Sequence, residues 1–422
     1  MKTTIALLSV ALVTGLTAMG RASAAEQAPA EAQSFDEALT GGNLLLNLRP
    51  RYEHVEQDGK PENANAITNR TLLGWRTKTF HGFSVTAEGI NVTHFDQQYY
   101  NDLPSRATAS RFPTVADPDY TGINQLYAQW TGVPKTEAKV GWQSIKLDNV
   151  RFVGNVEFRQ IMQVFNAAVV ENKSIENLNI YAGYLWRQRT ILGDQVGMQM
   201  PLVNLRYTWK PGNDVVAYGY FQGQANTSQN ATTGLKDGSN QIFGVRTNGG
   251  YPIGPDWKIL YTAEYAKQDN YSGGDAIIDA YYYHGMIGGQ WKDSFLRAHQ
   301  ELLSSNDGKY GFQTPLGTNH LFQGWVDKFL ITPKNGIRDT YASGGTKVKK
   351  LQIYAEYHWF RSAWQSLDLG QEFDIGLTYP LLKGLTGKLE YGDYHGAFGN
   401  TADGSVNTRD TRKFWVTLIY QY

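Results

Sequence analysis

The 422-residue chain contains no cysteine, which excludes disulfides and an acylated N-terminal cysteine anchor. Long apolar runs are missing as well: nothing beyond the N-terminal leader approaches the roughly 18 residues that a membrane-crossing helix needs. Nor is there an excess of one charge. The 39 basic and 39 acidic residues cancel, and loss of Lys2 and Arg21 with the leader leaves 37 basic residues and a net charge of −2, which lends no support to nucleic-acid binding. No His-Glu-x-x-His, P-loop or helix-opening Gly-x-Gly-x-x-Gly occurs, and Asp117-Pro118-Asp119 and Gly273-Gly274-Asp275 read as turns, not calcium sites. Neither a metal nor a cofactor is expected.

What the chain does have is aromatic side chains, glycine and alternation. Aromatics make up 13% of residues, with 26 Tyr and 11 Trp, and 44 Gly stand beside only 14 Pro. That balance suits strands and tight turns better than helices. At the N-terminus, Lys2, the apolar stretch Ile5 to Leu16 and Ala22-Ser23-Ala24 form a secretory signal, with cleavage expected after Ala24. At the other end, Phe414, Val416, Leu418, Tyr420 and Tyr422 alternate with Lys413, Trp415, Thr417, Ile419 and Gln421, giving one continuously apolar strand face. Such a strand needs neighbours on both edges and an apolar medium against that face, and a closed barrel in a membrane meets both needs.

The same period of two recurs along the chain. Eighteen strands are expected, at 44–55, 67–79, 82–94, 122–132, 136–146, 158–171, 176–187, 200–210, 213–224, 239–249, 256–268, 279–291, 294–304, 336–343, 348–361, 370–380, 385–395 and 411–422, with sixteen as the alternative count. Short turns such as Lys210-Pro211-Gly212-Asn213 alternate with longer loops, of which 96–121 and 305–335 are the largest. The organisation predicted is a signal peptide (1–24), a short periplasmic lead-in (25–43) and an all-β, antiparallel up-and-down transmembrane barrel (44–422) with short periplasmic turns and long extracellular loops. Its first and last strands pair to close the wall.

Three segments resemble the bacterial alginate-export family of outer-membrane porins: Leu44 to Glu53, Gly141-Trp142-Gln143 leading through Leu147 to Gly154, and Phe312-Gln313-Thr314-Pro315-Leu316 with Gly324 to Phe329. The resemblance spans nearly the whole mature chain. It implies a monomeric eighteen-stranded barrel with a polar lumen, in contact with outer-membrane lipid and lipopolysaccharide. In the exporter that names the family, an arginine-rich pore passes an acidic polysaccharide. Trp142 and Asn166 depart from the family pattern.

Strand phase assigns the lumen, because residues sharing a face with Leu, Val, Tyr and Trp point to lipid and their neighbours point inward. Arg49, Arg51, Arg70, Arg76, Lys139, Arg206 and Arg246 are expected inside, followed by Glu264, Arg297, Glu301, Glu356, Glu372, Asp374 and Glu390. Early strands thus supply mainly cations and late strands mainly anions, a lining that sets a transverse field across the lumen. On the final strand, Trp415, Thr417, Ile419 and Gln421 carry no charge, so that strand is expected to close the wall and select little. Loop 305–335 is too apolar to extend into water. Phe312, Phe322 and Trp325 should fold it back as a constriction or lid, with Asp327 and Lys328 offering charge at the entrance.

Function follows from the lining. The chain reads as a porin-like channel for small polar or charged solutes or sugars. An exporter of an acidic polysaccharide such as alginate, and a soluble carbohydrate-binding β protein, are the alternatives. Glu372 and Asp374 lie about 7 Å apart on one strand face, but like-charged neighbours are routine in a lumen and no enzyme is expected. No compelling serine partner for catalysis is expected for any of the eight histidines; His284 is placed near the long-loop rim and His299 and His358 in the lumen. The terminal strand is expected to engage the barrel-assembly machinery.

Overall fold

A computed structural model describes residues 31–95, 99–104, 108–223, 233–397 and 409–422. The signal peptide and the start of the lead-in lie outside the described residues. Eighteen strands form one closed antiparallel sheet: β1 (Asn43–Gln57), β2 (Ala64–Arg76), β3 (Phe83–His94), β4 (Tyr120–Trp130), β5 (Thr136–Gln143), β6 (Val164–Asn172), β7 (Leu178–Arg189), β8 (Gln195–Lys210), β9 (Asn213–Gln222), β10 (Asn240–Pro252), β11 (Trp257–Asn270), β12 (Asp279–Trp291), β13 (Ser294–Leu303), β16 (Ile337–Val348), β17 (Leu351–Arg361), β18 (Asp368–Leu382), β19 (Leu385–His395) and β20 (Thr411–Gln421). Two-residue strands β14 (Ser305–Asn306) and β15 (Tyr310–Gly311) make a separate hairpin within a loop.

Each strand pairs with its sequence neighbour, and β1 pairs with β20, with Leu48 opposite Tyr420 and Tyr52 opposite Val416. Closure satisfies every edge, which a sheet immersed in hydrocarbon requires. No described helix is long and apolar enough to cross a membrane. The six-residue α1 (Phe35–Thr40), unforeseen in the polar lead-in, is capped by Ser34 and tied to the β2–β3 turn through Ala38 O and the Trp75 indole.

The outer wall is apolar. Leu73, Val85, Val245, Ile287 and Leu296 are all exposed there, and in lipid each such side chain is favoured by about 1.5–3 kcal/mol over water. Trp75, Trp209, Trp257 and Trp291 stand at the short-turn rim, where indole suits the interface between hydrocarbon and headgroup. The inner wall behaves differently from an open tube. Four apolar clusters lie inside the barrel or at its mouth, where loop residues including Phe152, Ile161, Phe312 and Trp325 pack on side chains of the strands.

Two boundaries differ from expectation in a way that matters. Residues 144–163 form one loop between β5 and β6, whereas the sequence pattern ran strands through 146 and from 158. Asp148, Val150 and Val156 adopt left-handed backbone that no strand tolerates, so the segment turns repeatedly and enters the lumen. The strand expected over 336–343 is longer, reaching Val348.

Candidate functional site

Two loops fold into the barrel and meet inside it: 144–163, after β5, and 304–336, after β13. The second loop reaches far. Trp325 stacks on Tyr354 with ring centroids 6.0 Å apart, and its indole lies against Gly376, where a Cβ would sit 3.1 Å from it. Gly376 is eight residues in from the long-loop end of β18, so the tip descends about 26 Å along the wall. The sharp tip uses left-handed backbone at Gln323, Gly324 and Asp327. At Gly324 glycine is required twice over, because a Cβ there would also collide with the Glu372 carboxylate. That close approach lets Glu372 accept the Val326 N–H at 2.6 Å and Asp374 accept the Trp325 N–H at 3.4 Å.

The loops are joined to each other as well as to the wall. Gly154 N–H donates to Leu316 O at 2.9 Å, Val156 N–H to the Thr318 hydroxyl at 3.1 Å, and Gln163 Nε2 to Leu316 O at 3.0 Å. Arg151 binds Glu301 at 3.2 Å and Gln323 at 2.9 Å. Arg159 is the hub: it contacts Glu53 at 3.1 Å, Asp117 of the β3–β4 loop at 3.7 Å and Asp327 at 3.0 Å. Asp327 in turn accepts from Lys413 at 3.0 Å and meets His320 at 2.8 Å. Burial disfavours charge on Asp327, but the adjoining Lys413, His320 and Arg159 outweigh it and hold the carboxyl well below its ordinary range. Arg159 likewise stays charged: burial opposes the charge, and Glu53, Asp117 and Asp327 more than restore it. Phe158 stacks on His320 at 3.4 Å and sits edge-on to Trp415 at 5.7 Å, with the Arg51 guanidinium 4.3 Å from the centre of its ring.

The fourteen wall residues assigned by phase all lie on the inner-face register, but most do not present free charge to the lumen. Arg49 donates to Gln160 and to the backbone carbonyls of Glu157 and Arg159. Arg51 is within 4.0 Å of Asp117 and donates to Thr417, and Arg70 donates to Asn47. Arg206 bridges Asp148 and Asp214, while Arg246 and Glu264 pair across strands at 3.4 Å. Arg297 packs under Phe295, Glu301 takes Arg151, and Glu390 pairs with Lys388 at 3.0 Å. Glu356 contacts His358, and Glu372 and Asp374 hold the loop tip. Arg76, exposed at the short-turn end, and Lys139, paired with Glu137 near it, sit away from the constriction.

Several expectations therefore need correction. Phe312, Phe322 and Trp325 fold inward with their loop, and Asp327 and Lys328 lie against the long-loop end of β20 without offering free charge there. Asp327 is buried among three cationic partners, and Lys328 donates to Arg409 O and the Thr411 hydroxyl at the long-loop end of the last strand. The last strand is not a passive wall, because Lys413 and Trp415 anchor the constriction. His284 lies in the wall rather than at the rim, bonded to His299 at 3.1 Å and stacked on it. Loop 144–163 was missed as a lumen element. Its signal was Arg151 and Arg159 set in an apolar stretch with turn formers at Asp148-Asn149 and Gly154-Asn155.

Comparison with known proteins agrees with this architecture. No protein of curated function matches the chain by sequence. Among solved structures, OpdG (OccK9) of Pseudomonas aeruginosa superposes with a TM-score of 0.70 at 13% identity, covering 91% of this chain and 99% of that one. OccAB2 of Acinetobacter baumannii gives 0.69 at 14% identity, with 90% and 98% covered. OpdR (OccK11) of Pseudomonas aeruginosa gives 0.66 at 16% identity, with 91% and 97% covered. The alginate export family model matches residues 57–298, more than half of the sequence. With a closed eighteen-stranded wall, an apolar exterior and that match, the chain belongs to the alginate export family and is a barrel of the bacterial outer membrane.

Proposed function

We propose that the protein is a diffusion channel for small polar or charged solutes, whose selectivity is set by the two inward-folded loops. The observation that carries this reading is the cross-linked constriction around Arg159. A pore for a polyanion such as alginate calls for a track of cations open to the polymer, and here Arg49, Arg51 and Arg159 are committed to loop carbonyls, Asp117, Glu53 and Asp327. The family match favours polysaccharide export as the second reading. Catalysis finds no support in the Glu372–Asp374 pair, since both carboxylates accept backbone amides of the loop. The terminal strand serves as the contact for the assembly machinery, and the barrel works as a monomer in lipid. Single-channel recording in planar bilayers, with amino acids, small organic acids and oligosaccharides as blockers, tests the proposal. Discrete openings interrupted by a small solute are expected. Absence of openings together with loss of a secreted polymer on deletion would establish the export reading instead.

A further inference from the structure

Strands β17 and β18 place four ionisable side chains in a square on the inner wall. Glu356 lies opposite Asp374, and His358 lies opposite Glu372. Directly opposed like charges destabilise an antiparallel pair, and the neighbouring strand makes the situation worse by adding Asp339. All of these groups are nearly withdrawn from solvent, with Asp339, Glu372 and Asp374 at 0% exposure. Four buried carboxylates thus surround a single imidazole. Arg297, in the same row two strands from Glu356, attracts that carboxylate while packing on Phe295, and Lys328 in the loop donates to Arg409 and Thr411.

The orientation of His358 is more telling than the charge count. Its Nδ1 faces both Asp339 oxygens, at 2.9 and 3.1 Å, which fixes the tautomer with the proton on Nδ1. The other nitrogen, Nε2, is thereby presented to Glu356 Oε2 at 3.3 Å and Asp374 Oδ2 at 3.9 Å. A carboxylate behind a histidine whose far nitrogen faces two more carboxylates is the usual support of a metal ligand. One donor atom from each of Glu356, His358 and Asp374 lies within 4.8 Å of the other two. Bonds of about 2.0–2.2 Å to a central ion span such separations.

We infer that Glu356, His358 and Asp374 form a binding site for a divalent transition-metal ion on the inner wall, directly beneath the tip of loop 304–336. One imidazole and two carboxylates suit Zn2+ or Mn2+, whereas Ca2+ and Mg2+ prefer oxygen alone. Asp339 is a positioning residue, acting through the histidine it orients. The ion removes the Glu356–Asp374 repulsion and leaves Glu372 to hold the Val326 amide.

The test is titration of the detergent-purified, chelator-stripped full-length barrel with Zn2+ by calorimetry, with folding followed by heat-modifiable gel migration. One tight equivalent is expected in the native protein. It should be lost in His358→Gln and in Asp374→Asn, and weakened about 10- to 100-fold in Asp339→Asn. Unchanged Zn2+ affinity in folded His358→Gln assigns the ion to another histidine and overturns the proposal, as does failure of the native protein to bind. If the variants do not fold, pulsed electron paramagnetic resonance of Mn2+ bound to the native protein decides. Coupling to the nitrogen of one imidazole supports the site, and no nitrogen coupling refutes it.

Discussion

Replacing Asp327 by asparagine keeps the volume of the loop tip and removes the charge that three groups share. Arg159 retains Glu53 and Asp117 as partners, but Lys413 loses the carboxylate it meets at 3.0 Å. Leaving one partner of a buried pair uncompensated costs about 3–5 kcal/mol, and the two anions left on Arg159 put this site at the lower end. At about 1.4 kcal/mol per factor of ten, a cost of about 3 kcal/mol shifts the balance between seated and withdrawn loop by roughly two orders of magnitude. Two assays read that shift. In planar bilayers, Asp327→Asn should show larger or more frequent high-conductance openings than the native channel. Because the chain has no cysteine, a single Val326→Cys reporter is also unambiguous. Val326 is buried, so a bulky maleimide should label the reporter slowly in the otherwise native barrel and quickly when Asp327→Asn is added. Unaltered conductance and labelling in the double variant would refute the view that the charge hub seats the loop.

Other outcomes follow from the same geometry. Deleting residues 312–330 removes Phe312 and Trp325 from the lumen and should raise conductance, whereas a segment that only decorates the rim leaves it unaltered. Since the Asp327 carboxyl is held below its unfolded value of about 4, its contribution is complete above that pH and is lost as pH falls through the folded value. Conductance should therefore stay constant from neutral pH to about 5 and rise only in stronger acid; an increase centred near pH 6 would implicate a different group. On the outer wall, Val245 faces lipid at mid-strand. Val245→Arg should lower folding stability by about 2–4 kcal/mol in urea titrations in lipid vesicles, while Val245→Leu should be close to neutral.

The barrel was legible because its physics is periodic. Alternating lipid and lumen faces imposes a period of two on every strand, and all eighteen strands, the first-to-last closure and the inner-face register of Arg49, Arg51, Glu301 and Glu372 follow from it. The loops obey no such period. Residues 158–163 continue the apolar texture of β6, so Phe158, Ile161 and Met162 resemble strand residues, although they pack on the inner wall from a loop. Phase also assigns direction without partners. It puts Arg49 inside, but Gln160 and the Glu157 carbonyl, more than a hundred residues away in sequence, decide that its charge is spent on holding a loop. The same limit hid the role of Lys413, whose partner Asp327 lies 86 residues earlier.

The position of those anchors along the wall bears on how the barrel is built. Arg49, Arg51 and Glu53 lie on β1, and Lys413, Trp415 and Thr417 lie on β20, the two strands that meet at the closing seam. Arg159 and Asp327 join across that seam, one reaching Glu53 and the other Lys413. Until the first and last strands come together, the two halves of this docking surface are on opposite margins of an open sheet. The seam-side anchors of the loops are complete only after closure, and through them the seated loops clasp the seam from within. The constriction is thus also the latch of the cylinder, so a barrel with its lumen correctly narrowed is one whose assembly has been completed.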